Sequence, residues 1–301
     1  MKKSIIIFLA WTLCLGACHL NKSKKSYPYL FAMENLVAWC IVPFDSRERS
    51  HEERAQMLND LGIRQLAYDW RPEHLLTFPE EITVLMDHGI KLRSVWFWID
   101  GTENIIDEQN ERILKILEEQ QVQTELWVSF NDQFFDGLGD EDKLSKAVFA
   151  VRNISGQARE IGCNIALYNH GGWFGDPVNQ VKIIQALPDE QIGIVYNFHH
   201  GHTQIDEFGK LMNIMKPYLT AVNINGMSVN GPKILPVGQG DSEFEMLSIL
   251  KRSGFDGNIG IIGHVEDVDV KTVLERNLSG LRSILERMGD EVALSTYLSQ
   301  Q

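Results

Sequence analysis

One pattern constrains the fold of this chain more than any other. From Leu36 onward, short apolar runs alternate with longer amphipathic stretches at a steady interval. The runs begin near Leu36, Arg64, Lys91, Thr124, Asn164, Ile192, Thr220 and Asn258. Helical patterns fill the spaces between them, among them 50–61, 107–119, 143–161 and 242–253, with a final helix expected over 270–287. Most of the short runs are continuously apolar, as in strands covered by helices, where neither face of the strand meets water. Leu61-Gly62 and His88-Gly89 place glycine where a helix should stop, because a left-handed residue closes the last turn. Eight strands alternating with eight helices predict a single-domain α/β fold, a (β/α)8 barrel rather than a doubly wound sheet. No G-x-G-x-x-G opens a helix and no P-loop is present, which weakens nucleotide-binding alternatives. No linker or low-complexity segment interrupts residues 35–301.

The first 34 residues belong to a different argument. Lys2 and Lys3 precede an apolar stretch, 4–16, that is too short for a comfortable bilayer span but long enough for a signal peptide. The stretch ends in Leu15-Gly16-Ala17-Cys18, which resembles a lipobox. Residues 1–17 are therefore expected to be a removed signal peptide and Cys18 a lipidation site carrying palmitate-type acyl chains. The alternative is an ordinary secretory leader whose cysteine is incidental. Residues 18–34 then form a polar tether, and the protein is exported and membrane-anchored, facing the periplasm or the cell exterior.

The chain carries a formal net charge of −13. Phosphate binding relies on clustered Lys and Arg, so nucleic acid is a poor candidate partner. Cys40 and Cys163 lie in apolar surroundings without metal-site spacing, and two buried free thiols are expected rather than a disulfide.

In a (β/α)8 barrel the site is built at the C-terminal ends of the strands. The residues there are Tyr68-Asp69-Trp70-Arg71, Trp96-Phe97-Trp98, Ser129, Tyr168-Asn169-His170, Asn197-Phe198-His199-His200, Asn223-Ile224-Asn225 and Gly263-His264. Polar groups at strand ends can converge on sugar hydroxyls, and indole rings stack on apolar sugar faces. Asp69, Arg71, Trp96, Trp98, Tyr168, Asn197, Asn223, Gln239 and His264 are expected to bind substrate. His170, His200 and Lys233 are the expected catalytic groups. Simpler readings stand beside these. Asp69 and Arg71 could be an ion pair closing the barrel top, and one of Trp96 and Trp98 could pack into the barrel core. At least one of His199, His200 and His202 belongs to a surface loop. Glu125 is either a buried lumen acid or a rim residue, and His51 and His88 are solvated helix residues.

Several of these phrases resemble the xylose-isomerase-like TIM barrels of sugar phosphate isomerases, epimerases and endonuclease-IV-type proteins, and most closely a bacterial, often exported branch. The likeness rests on Tyr68-Asp69-Trp70-Arg71, Tyr168-Asn169-His170-Gly171-Gly172, Tyr196-Asn197-Phe198-His199-His200, Gly231-Pro232-Lys233-Ile234-Leu235-Pro236 and Gly238-Gln239-Gly240-Asp241. It covers roughly residues 35–287. The resemblance implies a divalent metal (Mn, Mg or Zn) held by Glu, Asp, His and Glu on strands five to eight. Here those slots hold Tyr168, Asn197, Asn223 and Gly263-His264, so every carboxylate is missing. No metal ligand is assigned; a replacement site of His170, His200 and His264 is the remaining metal-binding alternative. The resemblance also implies a small-molecule sugar or glycoside substrate. The expected reaction is isomerase, epimerase or lyase chemistry starting with proton abstraction α to a carbonyl, with 3-keto-glycoside cleavage as one form. A catalytically inactive barrel that binds a sugar or a partner protein is the rival.

Overall fold

The computed structural model describes residues 29–101 and 105–298. Eight parallel strands close into a barrel in chain order: β1 (Leu36–Trp39), β2 (Gln65–Tyr68), β3 (Lys91–Ile99), β4 (Glu125–Phe130), β5 (Asn164–Tyr168), β6 (Ile192–Asn197), β7 (Leu219–Ile224) and β8 (Asn258–Ile262). Eight helices follow the strands in turn: α1 (His51–Asp60), α2 (Phe78–Asp87), α3 (Glu108–Glu119), α4 (Asp140–Glu160), α5 (Pro177–Gln185), α6 (Phe208–Met215), α7 (Glu243–Arg252) and α8 (Val270–Met288). The fold is a single (β/α)8 TIM barrel. Each observed strand starts within one residue of its expected position, because continuous apolar runs bounded by polar turns leave little freedom of register.

The helix boundaries have local causes. Ser50 and Glu53 form a reciprocal capping box at α1, satisfying backbone N–H groups that no helical carbonyl can reach. Asp107, Asp176 and Asp269 cap α3, α5 and α8 in the same sense through their side-chain oxygens. Gly62 and Gly89 sit at φ 75° and 67°, as their stop positions require. Gly289, at φ 65°, likewise ends α8. A further helix, α9 (Glu291–Leu298), follows it and was not expected from the sequence. Its Tyr297 hydroxyl donates to the Phe31 carbonyl at 2.8 Å, and Thr296 Oγ1 accepts from Met33 N at 3.0 Å. Together α9 and the segment before β1 close the barrel's N-terminal end.

The core has two layers. The larger lies between strands and helices; the smaller fills the lumen with Val37, Trp39, Ala67, Trp127, Ala166, Tyr168, Val195, Ala221 and Ile262. Three large rings are accommodated because alanines face them from other strands, so large and small side chains interdigitate. At the N-terminal end of the lumen the groups are polar, amides among them. Asn258 Nδ2 donates to Asn35 Oδ1 at 3.0 Å, and Gln65 Nε2 donates to the Glu34 carbonyl at 2.8 Å. Glu125 belongs here: it accepts from Trp127 Nε1 at 2.9 Å and Thr220 Oγ1 at 3.0 Å. It is a half-buried lumen acid that ties β4 to β7, not a rim residue.

Cys40 and Cys163 are free and buried. His51 and His88 correct their expectation. Each is half-buried against a carboxylate, His51 Nδ1 at 3.2 Å from Glu81 and His88 Nε2 at 2.8 Å from Glu52. Both are drawn inward because α1 and α2 pack side by side. The leader, Cys18 and the tether up to residue 28 lie outside the described residues. Among the described residues, no helix is long and apolar enough to cross a membrane.

Candidate active site

A cavity of about 400 Å³ opens at the C-terminal ends of the strands. Of the expected residues, Asp69, Arg71, Trp96, Trp98, Tyr168, His170, Asn197, His200 and His264 line it. These positions converge because alternate residues of a strand face the lumen, so the last inward residue of each run meets the others at the rim.

One wall is aromatic. Trp96 and Trp98, two apart on β3, stack with centroids 5.9 Å apart and planes 10° apart. Both remain half-buried at the mouth, so neither is withdrawn into the core. Trp96 meets Tyr168 edge-on at 4.9 Å and Trp39 at 5.8 Å, which joins the wall to the lumen rings below. Four imidazoles continue around the rim. His170 lies 4.6 Å from His200, His200 lies 4.5 Å from His199, and His199 lies 5.5 Å from His264. His264 packs on Phe44 at 3.7 Å, and the Arg71 guanidinium sits 5.3 Å from the same Phe44 ring.

Burial is the leading influence on all four imidazoles, because it disfavours the charged form. His200 is pushed down to about 2, with the neighbouring His170 and His199 adding to the effect. His199 falls to about 4, and His170 and His264 also fall below their ordinary value. The rim therefore holds neutral rings at neutral pH.

Among the described residues, Asp69 is the only carboxylate on the cavity wall. Its Oδ1 accepts from Val42 N at 3.3 Å, while its buried Oδ2 has no hydrogen-bond partner. Burial pushes its carboxyl up to about 6, against the opposing pull of the Val42 N–H and the Arg71 charge. Arg71 does not pair with it; the guanidinium turns instead to the Trp70 carbonyl at 2.8 Å. The ion pair considered from the sequence is not formed. Cys40 lies next to this acid on the wall, with left-handed backbone at φ 55°, a conformation that costs energy in a residue with a Cβ.

Asn197 organises the ends of β5 and β6. Its backbone N–H donates to Asn169 Oδ1 at 2.6 Å, and Asn169 Nδ2 returns a bond to the Asn197 carbonyl at 3.1 Å. Its Oδ1 accepts from His199 N at 3.0 Å, and its Nδ2 donates to the Tyr168 hydroxyl. Trp39 Nε1 donates to the same hydroxyl at 3.1 Å.

Three expected residues lie elsewhere. Asn223 is fully buried beneath the cavity, with neither amide atom in a hydrogen bond. Lys233 is exposed and off the cavity wall; its backbone carbonyl accepts from His202 Nε2 at 2.9 Å and Asn225 Nδ2 at 3.2 Å. Gln239 is exposed on the loop before α7. That loop is held by buried Glu243, which accepts from Met227 N at 3.1 Å, Gly238 N at 3.0 Å and Gly240 N at 2.9 Å. The glycines in the Gly238-Gln239-Gly240 phrase thus serve the loop's own folding.

The cavity also includes Trp39, Cys40, Phe44, Trp70, Gln109 and His199, which were not selected from the sequence. Trp39 and Trp70 carried a visible signal, an indole at or just past a strand end. Phe44 and Gln109 carried none, because the loop and helix that supply them are folded back by tertiary packing.

The four slots where a divalent ion is expected hold a phenol, two carboxamides and, on β8, Ile262 facing the lumen with His264 beyond it. These are neutral donors, and they lack the charge with which oxygen ligands hold a hard cation. Among the described residues, no three His, Cys, Asp or Glu groups are placed to hold a metal ion. The donor set does not fit the ion, so no step below is routed through one.

The fold has solved counterparts. A 3-keto-D-glucoside 4-epimerase from E. coli superposes with a TM-score of 0.61 at 14% identity, covering 83% of this chain and 99% of that one. The IolI protein, with a bound zinc atom, gives 0.63 at 15% identity over 84% of this chain and 98% of that one. A D-psicose 3-epimerase from Clostridium cellulolyticum H10, seen with D-tagatose, gives 0.59 at 13% identity over 83% and 98%. The chain therefore has the fold of the xylose-isomerase-like TIM barrels. No family model matches the chain, and no curated protein matches it by sequence.

Proposed function

We propose that the protein is a carbohydrate-active enzyme of isomerase or epimerase type, acting on a sugar or keto-glycoside by removing a proton α to a carbonyl. The observation that carries this reading is the pairing of a buried, half-unpartnered carboxylate with an aromatic wall and neutral imidazoles in one cavity. The fold counterparts named as epimerases support it.

Deprotonation leaves the C–H electron pair as an enolate, with the charge on the carbonyl oxygen. Returning a proton to the other face gives the epimer, and returning it to the carbonyl carbon of an enediol gives the isomer. Expelling an alkoxide from the next carbon is elimination, the lyase outcome. None of these needs an oxidant or a second substrate. A proton carrier works best when its pKa lies near the working pH. Asp69, at about 6, meets that condition more closely than His200, at about 2. Asp69 follows β2, whereas His170 and His200 follow β5 and β6 across the barrel. A sugar bound beside Trp96 and Trp98 would thus lie between Asp69 and the two histidines, an arrangement compatible with epimerisation, which needs a proton carrier on each face of the reacting carbon.

Incubating the protein with a panel of keto-sugars and 3-keto-glycosides, with products followed by NMR, tests the reading. New epimers, isomers or elimination products are expected, and they should be lost in Asp69→Asn and weakened in His170→Ala and His200→Ala. Binding without turnover across the panel would refute the enzyme and favour the sugar-binding rival, which the neutral donor set otherwise supports.

The proposal extends to location: export and lipid anchoring at Cys18, supported by the Leu15-Gly16-Ala17-Cys18 sequence. The chain enters the barrel at the N-terminal end of β1, opposite the cavity, so a tether there would leave the mouth open to soluble sugars. Palmitate labelling lost in Cys18→Ser is the expected result; labelling that persists refutes it.

A further inference from the structure

The donor set that suits a metal ion so poorly suits another task. We propose that Tyr168, held by Trp39 and Asn197, is a neutral proton donor that hydrogen-bonds the carbonyl oxygen of a bound keto-sugar and stabilises the oxyanion formed from it. The inference rests on the carbonyl-sugar reading above and names the group that does what a Lewis acid would do.

A phenol oxygen has two acceptor positions and one hydrogen to give. Both acceptor positions are used here: Trp39 Nε1 donates at 3.1 Å, and Asn197 Nδ2 donates from the other side. Indole N–H can only donate, and Asn197 Oδ1 is occupied by His199 N, so these partners are held in their donating sense. The remaining capacity of the hydroxyl is its own hydrogen. Tyr168 lines the cavity, between the Trp96 wall and the His170–His200 pair. Asn223 lies within reach of the same hydroxyl, fully buried and with neither amide atom in a well-formed hydrogen bond, so the hydroxyl's hydrogen is shared between this amide and the cavity. Buried polar groups are nearly always satisfied, so an exception calls for an explanation, and a catalytic role is one.

The rest of the site keeps this donor neutral and fixed. Burial raises the phenol's pKa above its ordinary value, so the O–H stays intact across the physiological range. Two N–H donors on the same oxygen polarise its O–H bond and strengthen the bond it gives, because linked hydrogen bonds reinforce one another. Preorganised donors of this kind stabilise developing negative charge without reorganising at the moment of reaction. Trp127 stacks on the Tyr168 ring at 5.9 Å and holds it from the lumen side.

The test is a binding measurement rather than a rate. Methyl 3-keto-glucoside labelled with ¹³C at the carbonyl carbon is titrated into metal-stripped protein, and the carbonyl resonance is followed. A downfield move is expected in the wild type, unchanged by added Mn²⁺ or Zn²⁺, and lost in Tyr168→Phe. Asp69→Asn should keep the move while stopping proton exchange. A thermal melt monitors folding of the Tyr168 variant. If that variant does not fold, Trp39→Phe replaces it and should give a smaller move than wild type. A move that needs added metal, or that survives Tyr168→Phe unchanged, overturns the inference, as does the absence of any move in wild type. A polarised carbonyl with no α-proton exchange would support the donor site and refute the isomerase reading.

Discussion

Acidification should unfold this protein in part through His200, and the size of that contribution follows from its surroundings. Burial and the adjacent His170 and His199 push its pKa down to about 2 in the folded state, against an ordinary value of 6.5. A histidine with a depressed folded pKa contributes stability that is fully present above the unfolded value. It is lost as pH falls below about 6.5, because the unfolded chain binds a proton that the folded chain refuses. With 1.36 kcal/mol per pH unit, falling from about pH 7.5 to about pH 5 removes at most about 2 kcal/mol through this residue. Asp69 and Glu81 act in the opposite direction. Their folded values are raised to about 6 and about 7, so their contribution is lost as pH rises through those values. The total pH profile therefore mixes opposing slopes, and a difference between two proteins isolates one of them. Urea unfolding of wild type and His200→Gln at each pH should show the variant gaining up to about 2 kcal/mol on wild type between about pH 7.5 and about pH 5. Parallel profiles would refute the reasoning, since they would place His200 in an environment that accepts its charge.

Two further outcomes concern stability. Arg54 meets buried Glu81, so Arg54→Met should leave that acid with only His51 beside it and cost up to about 3–5 kcal/mol in a denaturant titration above about pH 7. A Cβ at Gly260 would collide with the Asn223 amide, so Gly260→Ala should cost about 1–3 kcal/mol. The double variant with Asn223→Ala should recover part of that loss in the same titration, because it removes the atoms struck.

The barrel was legible because its strands are read twice, once as apolar runs and once as the polar residues that end them. Asp69, His170 and Asn197 were found by position alone, since the end of a barrel strand has only one place to point. The same rule misplaced Asn223, whose side chain stays beneath the cavity floor. Lys233 and Gln239 were chosen from a loop phrase whose residue types suggested chemistry. In the folded loop the Lys233 carbonyl, not its ammonium, is what the histidines meet, and buried Glu243 gathers the glycines. Helix α9 was missed because the last helix was expected to end near residue 287 with nothing after it, whereas Gly289 is a left-handed break between two helices. Phe44 and Gln109 could not be found, because contacts distant in sequence decide which way a loop turns.

The central claim is that this cavity removes a proton from carbon next to a carbonyl. Deuterium incorporation from D₂O into methyl 3-keto-glucoside, read by NMR with metal-stripped protein, tests it most directly. The account predicts incorporation next to the carbonyl, at C2 or C4, that Asp69→Asn abolishes. Wild-type protein that binds the sugar and leaves both positions protonated would contradict it.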